Sequence, residues 1–206
     1  MRTKYKQWAV DYLTEHPEIV IQKINLDEDF YKGKKIYIEI GSGKGGFLIS
    51  EASKHPDIVY IGIERVKTVA GIFAKKAQEL GLINLKVAPL DVEVTFSSLP
   101  TNSIDELYLN FSDPWPKARH EKRRLTYKSK LDEYYRILKK GGLLKFKTDN
   151  DSLYEYSSKE SMPNSKFKIL LDEENYIFDA ANDSMSEYEK KFRELGHHIH
   201  RIILEK

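Results

Sequence analysis

Ile36-Tyr37-Ile38-Glu39-Ile40-Gly41-Ser42-Gly43-Lys44-Gly45-Gly46 is a short apolar run, broken by one acid, that passes directly into a glycine-rich turn. Such a run bounded by glycine reads as a strand, and the residues after Gly46 read as a helix. Strand, glycine turn, helix is a nucleotide-binding order, because a tight turn lets a ligand approach the backbone at a helix N-terminus. Gly41, Gly43 and Gly46 satisfy the G-x-G-x-x-G spacing. Lys44 is not followed by Ser or Thr, so the turn lacks the order of a P-loop.

Outward from that turn, apolar runs recur at 58–63, 85–88, 104–111, 143–147, 167–171 and 199–204, which with 36–40 makes seven strand candidates. Helix-length segments lie between them at 46–55, at 66–80 with Gly81 as C-cap, at 125–138 closed by Gly141-Gly142, at 152–160, and at 186–195 closed by Gly196. Parallel strands need crossover connections that pack back on the sheet. The alternation therefore predicts a Rossmann-like α/β fold, a seven-stranded, mostly parallel sheet with helices on both faces. An amphipathic helix at 5–13 precedes the first strand as an appendage, within an N-terminal extension over 1–30. No repeat or low-complexity linker interrupts the chain, so a single domain over 1–206 is expected.

With 40% hydrophobic and 32% charged residues, the chain is more polar than the roughly 25% charged of an ordinary globular domain. No apolar run approaches the roughly 20 residues of a membrane-spanning helix, and the start lacks the apolar core of a signal peptide. There is no cysteine, which excludes disulfides, thiolate nucleophiles and cysteine-ligated metal and fits the cytoplasm. His197, His198 and His200 cluster in sequence, but strand alternation puts only His198 and His200 on one face without a carboxylate set, so no metal is expected. The net charge is only +2, yet it is segregated. Lys117, Arg119, Lys122, Arg123, Arg124, Lys128 and Lys130 stand against one acid, Glu121, a stretch suited to a polyanion or to plain solvation.

Three acids accompany the glycine turn. Glu64 ends the second strand, where a carboxylate accepts both hydroxyls of an adenosine ribose, in dinucleotide and S-adenosylmethionine sites alike. Asp91 follows the third strand and suits the amino edge of adenine. Glu39, next to the turn, faces a pyrophosphate unfavourably and suits an ammonium or sulfonium, which favours a cationic cofactor.

After the fourth strand comes Asn110-Phe111-Ser112-Asp113-Pro114-Trp115-Pro116-Lys117-Ala118-Arg119-His120-Glu121-Lys122-Arg123-Arg124. This string resembles the signature of the bacterial tRNA (guanine-N7-)-methyltransferases, a Rossmann-like, class I S-adenosylmethionine-dependent family. The similarity extends to Met1-Arg2 through Trp8-Ala9, the 39–46 turn, Phe146-Lys147-Thr148-Asp149-Asn150 and Ser186-Glu187-Tyr188-Glu189. The resemblance implies that Glu39, Glu64, Asp91 and Asp113 line an S-adenosylmethionine site, beside Gly41 and Gly43 of the turn, with Asp113 also the catalytic position. Lys117, Asp149, Ser186, Glu187, Tyr188 and Glu189 match positions that look like substrate contacts. Arg119, His120, Lys122, Arg123 and Arg124 match an RNA-contacting segment. The implied partner is tRNA, methylated at guanosine 46 of the variable loop, by a protein that works as a monomer or homodimer. Ser186 stands where the family commonly has Thr, Ala118 where it frequently has Lys, and Ser112 where it often has Pro.

The chemistry of the residues agrees with that implication. Guanine N7 carries an in-plane lone pair and needs no deprotonation, so the task is positioning more than general-base catalysis. Positive charge develops on the purine, where a carboxylate, Asp113 or Asp149, stabilises it and accepts from the N1 and N2 edge. Trp115 either packs beneath the site or stacks on a base, and Ser186-x-x-Glu189 also has the spacing of a helix capping box. The charge density of 117–124 predicts a segment that is mobile without RNA. Two other readings stay open on the residues alone. One is an NAD-dependent oxidoreductase, supported by the glycine spacing and Glu64 and opposed by Glu39. The other is a non-catalytic RNA-binding module using the basic stretch.

Overall fold

The computed structural model describes residues 4–206, so Met1 and Arg2, where the family resemblance begins, lie outside the described residues. The described residues form two compact units, one of residues 4–100 with 184–186 and one of residues 101–183 with 187–206.

The first unit runs α1 (Gln7–Glu15), β1 (Lys35–Ile40), α2 (Gly46–Lys54), β2 (Ile58–Ile63), α3 (Lys67–Glu79), β3 (Leu85–Ala88) and α4 (Val92–Ser98). β2 is apolar at nearly every position because it is a central parallel strand, paired with β1 from Ile36 to Val59 onward and with β3 from Tyr60 to Leu85 onward. The buried face of α3 is Ala70, Phe73, Ala74 and Ala77, a helical spacing of mostly small side chains. Small residues let α1 come close: a Cβ on Gly71 of α3 would lie 1.7 Å from the Ala9 carbonyl oxygen of α1. The N-terminal extension is thus not an appendage. Its Ala9, Leu13, Ile19, Val20 and Ile24 are buried, and the backbones of Ile19 and Ile21 bond to Val87 of β3.

The second unit runs β4 (Ile104–Asn110), α5 (Lys128–Ile137), β5 (Leu138–Thr148), α6 (Asp151–Tyr156), β6 (Lys168–Glu173), α7 (Glu187–Glu194) and β7 (His200–Glu205). A 3-10 turn spans Ala118–Arg123 and a π-helical turn Ser157–Ser161. β4 and β5 are parallel, whereas β7 lies antiparallel between β5 and β6. The strand order is β3-β2-β1-β4-β5-β7-β6, the expected seven-stranded, mostly parallel sheet.

Two local expectations fail for identifiable reasons. α4 is absent from the sequence reading because Val92, Val94 and Thr95 are β-branched, but Asp91 caps it by accepting from the Glu93 N–H at 3.1 Å. Gly141-Gly142 does not close α5, which ends at Ile137 and passes straight into β5. The pair sits where the β4–β5 register is irregular, and a Cβ on Gly142 would lie 3.0 Å from the Asp105 carbonyl oxygen. No helix among the described residues is long and apolar enough to cross a membrane.

Candidate active site

In the first unit the chain leaves β1 through Gly41, Gly43 and Gly45, all left-handed, at φ of 76°, 56° and 76°. Glycine adopts this region without steric cost. The turn folds onto β2, with the Gly41 and Ser42 N–H groups donating to the Ile63 carbonyl at 2.8 and 3.1 Å. Glu64, just past β2, accepts from the Gly43 N–H at 3.1 Å and the Val66 N–H at 2.8 Å, so its carboxylate ties the turn to the start of α3. A carboxylate with two such bonds retains lone pairs for hydroxyl donors.

Packing explains a glycine outside the motif. A Cβ on Gly45 would lie 1.9 Å from the Phe73 ring, and one on Gly62 of β2 would lie 2.3 Å from the same ring. A Cβ on Gly43, by contrast, would meet nothing within 4 Å, so the turn opens onto space at that residue. Glu39 is buried at 3% exposure, and the buried Ser42 Oγ has no hydrogen-bond partner. A backbone open to close approach, a carboxylate able to take hydroxyls, a buried acid and an orphaned hydroxyl fit S-adenosylmethionine, a ligand with a ribose and a positive charge.

The second unit carries the segment after β4, where Phe111 and Trp115 are left-handed, at φ of 54° and 42°. For bulky side chains this region costs roughly 1–3 kcal/mol each, and such strain persists only where surroundings enforce it. Here the Phe111 N–H donates to the Lys147 carbonyl at 2.8 Å. Arg124 donates through Nε to the Pro114 carbonyl at 3.2 Å and through Nη2 to the Trp115 carbonyl at 3.3 Å. Its guanidinium stacks on Tyr156 at 4.1 Å, and the Tyr156 hydroxyl donates to Glu121 at 3.0 Å. Burial, then the Glu121 carboxylate, push the Tyr156 phenol well above its ordinary value. Arg123 lies over the Trp115 ring at 4.9 Å and His120 meets it edge-on at 5.7 Å. Between the two strained residues Asp113 is exposed.

A second constellation lies along the end of β5. Lys147 is buried, and its Nζ donates to Asp183 at 3.0 Å and to Glu189 at 2.9 Å. Glu189 also accepts from Arg193 at 2.8 Å, and Asp183 accepts from the Tyr176 hydroxyl at 3.0 Å. These bonds fasten the chain around 183–189 to β5. Two residues beyond Lys147, Asp149 accepts from the Tyr188 hydroxyl at 3.2 Å, and the Tyr188 ring packs between Phe111 at 5.0 Å and Phe192 at 4.2 Å. Burial, then the Asp149 charge, push the Tyr188 phenol up to about 12.

A family model described as "Putative methyltransferase" matches residues 33–202. The tRNA (guanine-N(7)-)-methyltransferase of Lactobacillus gasseri is 45% identical over 97% of each chain. That of Staphylococcus haemolyticus is 43% identical over 98% of this chain and 96% of its own, and that of Mesoplasma florum 38% over 100% and 99%. The chain belongs to the tRNA (guanine-N(7)-)-methyltransferase family. Among solved structures, a 30S ribosomal A1408 methyltransferase from an uncultured bacterium superposes with a TM-score of 0.62 at 15% identity, covering 90% of this chain and 96% of that one. A SAM-dependent methyltransferase from Aquifex aeolicus gives 0.58 at 15% identity, covering 98% of both chains. Both share the fold.

Against the positions that resemblance to the tRNA (guanine-N(7)-)-methyltransferases marks, the structure distinguishes several roles. Gly41, Gly43 and Glu64 come together at one turn, and Asp149 with Tyr188 at the end of β5. Asp113, Lys117, Arg119, Lys122 and Arg123 are exposed, Ser186 is half-buried and Glu187 exposed. Glu189 is fully buried and accepts from Lys147 and Arg193. Arg124, half-buried, donates to the Pro114 and Trp115 carbonyls, and Lys130 is buried. Within 117–124, Ala118–Arg123 form a 3-10 turn, with Arg124 bonded to the Pro114 carbonyl and Glu121 to the Tyr156 hydroxyl.

Sequence reasoning missed the Lys147 cluster, whose pairs lie 36 and 42 residues apart. Lys147 gave little signal of its own, because β5 also carries Lys139, Lys140 and Lys145. His200 is buried, bonded to Asp151 at 2.9 Å and stacked on Tyr154 at 4.2 Å, while His198 is exposed. No group of three or more potential metal ligands assembles among the described residues.

Proposed function

We propose that this protein transfers the methyl group of S-adenosylmethionine to N7 of a guanosine in tRNA, position 46 of the variable loop by family resemblance, and that it does so in the cytoplasm. The observation that carries the reading is Asp113, an exposed carboxylate on a loop held in strained left-handed backbone on both sides. The names of relatives at 38–45% identity over nearly the whole chain support the same substrate. The cofactor, when bound, supplies an electrophilic methyl on a positively charged sulfur.

Glu64 takes the ribose hydroxyls, Gly41 and Gly43 allow close approach of the backbone, and Glu39 and Asp91 contribute negative charge that favours a sulfonium. Because N7 attacks through an existing lone pair, no side chain has to remove a proton first. Asp113 and Asp149 accept from the N1 and N2 groups of the guanine and offset the positive charge that grows on its ring. The Tyr188 phenol, held protonated at neutral pH, keeps Asp149 oriented as an acceptor. Lys117, Arg119, Lys122 and Arg123 contact phosphates, while Arg124, Glu189 and Lys147 hold the loops that carry these groups.

The test is nucleoside analysis of unmodified tRNA incubated with the protein and methyl-labelled S-adenosylmethionine. Label in 7-methylguanosine is expected. Label in another nucleoside, or none, overturns the reading.

A further inference from the structure

Beside the basic stretch lies a hollow of mixed charge. A cavity of about 370 Å³ opens in the second unit, lined by Pro116, Ala118, Glu121 and Arg124 and, from α6 and the π-helical turn after it, by Ser152, Glu155, Tyr156, Lys159 and Glu160. Glu121, the single acid of the basic stretch, is one of three carboxylates here. With three carboxylates against Arg124 and Lys159, the hollow is less cationic than the exposed Arg119, Lys122 and Arg123 and suits a phosphate backbone less well than they do. Its volume is within the range of small-ligand sites and ample for a planar heterocycle.

The wall and the rim divide the work such a guest requires. Arg124 and Tyr156, stacked at 4.1 Å and anchored by the Tyr156–Glu121 and Arg124–carbonyl bonds, make one side flat and rigid. Unstacked RNA bases are held on aromatic rings and guanidinium planes. Glu121 and Glu155 each have one oxygen engaged, by Tyr156 and Lys159, and a carboxylate's second oxygen accepts further bonds. Carboxylates read bases through amino groups, as acid side chains do with cytosine N4.

We infer that this cavity takes an unstacked nucleobase bearing an amino group, from a nucleotide of the RNA other than the one methylated, while its flanking phosphates lie on exposed Arg119 and Lys122. The inference rests on the tRNA reading above. It makes the second unit a two-part RNA reader, in which exposed cations position the backbone and the carboxylates of the hollow select a base.

The decisive measurement is equilibrium binding of unmodified tRNA to wild type, to Glu155→Ala/Glu160→Ala and to Ala118→Trp, each across a range of salt. Acids that merely neighbour RNA repel it, so their removal would tighten binding. If they hold a base, removal weakens binding about five- to tenfold, with an unchanged salt slope and an unchanged affinity for S-adenosylmethionine. Ala118→Trp fills the cavity without altering charge and is expected to weaken binding in the same direction. Equal or tighter binding by the double variant overturns the inference. Should the double variant fail to melt cooperatively, unchanged binding by Ala118→Trp overturns it alone. N7 methylation by wild type is followed in parallel, so a protein that binds tRNA through this cavity yet forms no 7-methylguanosine refutes the activity and not the cavity.

Discussion

The turn after β1 and the loop after β4 both put left-handed backbone at the end of a parallel strand, but they achieve it by opposite means. Gly41, Gly43 and Gly45 adopt their φ values without a Cβ to clash, so the first turn is shaped by local sequence. Phe111 and Trp115 adopt nearly the same φ against steric cost, and their shape is imposed by Arg124, by the Lys147 carbonyl and by rings packed around them. The first turn is therefore expected to withstand changes in distant residues and to fail on small changes within itself. The loop that carries Asp113 should behave the other way round.

The largest effect tests what the strained loop is for. Asp113→Ala should retain the wild-type melting temperature and lose methyl transfer by about a thousandfold or more, since it removes a charge placed where positive charge develops. Turnover within a few-fold of wild type would detach the strain from the chemistry. Next, Gly45→Ala should cost about 3 kcal/mol in urea unfolding, from the Phe73 contact and the left-handed φ together. Adding Phe73→Leu should recover part of this, and a Gly45→Ala protein as stable as wild type would show the turn to be less locally determined than argued. Arg124→Ala, remote from the first turn, should cost about 1–3 kcal/mol and lower turnover while leaving cofactor affinity alone. Lys is not expected to rescue it, because one ammonium cannot reproduce the stacked, two-point grip of the guanidinium. The smallest effect concerns the cations left on the surface. Arg119→Ala/Lys122→Ala should lower the slope of log affinity against log salt by about 1.5, measured by filter binding, without changing stability. An unaltered slope would leave both as solvated surface.

How much of this was readable in advance follows the same division. All seven strands and the glycine turn were legible because their signals are local: apolar runs, glycine at left-handed positions, alternation with helices. β6 was placed within two residues and Gly81 and Gly196 were recognised beyond their helices for the same reason. α4 was lost because its β-branched residues read against a helix and because Asp91, taken as a ligand group, also caps that helix, two roles that leave the same mark in a sequence. Gly141-Gly142 was misassigned because glycines required by a left-handed φ at Gly141 and by the Lys139 and Asp105 carbonyls beside Gly142 look identical to a helix terminator. The burial of Glu189 and the commitment of Arg124 were invisible because each depends on partners brought close only by the sheet, and a charge count assigns every cation to the surface. Phe111 and Trp115 were visible as aromatics near prolines, but nothing in their identity announces a positive φ.

The placement of β7 between β5 and β6 sets an order of events in synthesis. β6 lies at the sheet's edge with β7 as its neighbour, yet it leaves the ribosome first. Until the later strand is made, the backbone groups of β6 and its partly exposed Ile169 and Leu170 have no sheet to join. Most of the first unit, up to residue 100, is made before β6, although residues 184–186 join it only afterwards. The interval is one in which an unpaired, apolar segment is open to other chains, and it lengthens wherever translation slows between the two strands.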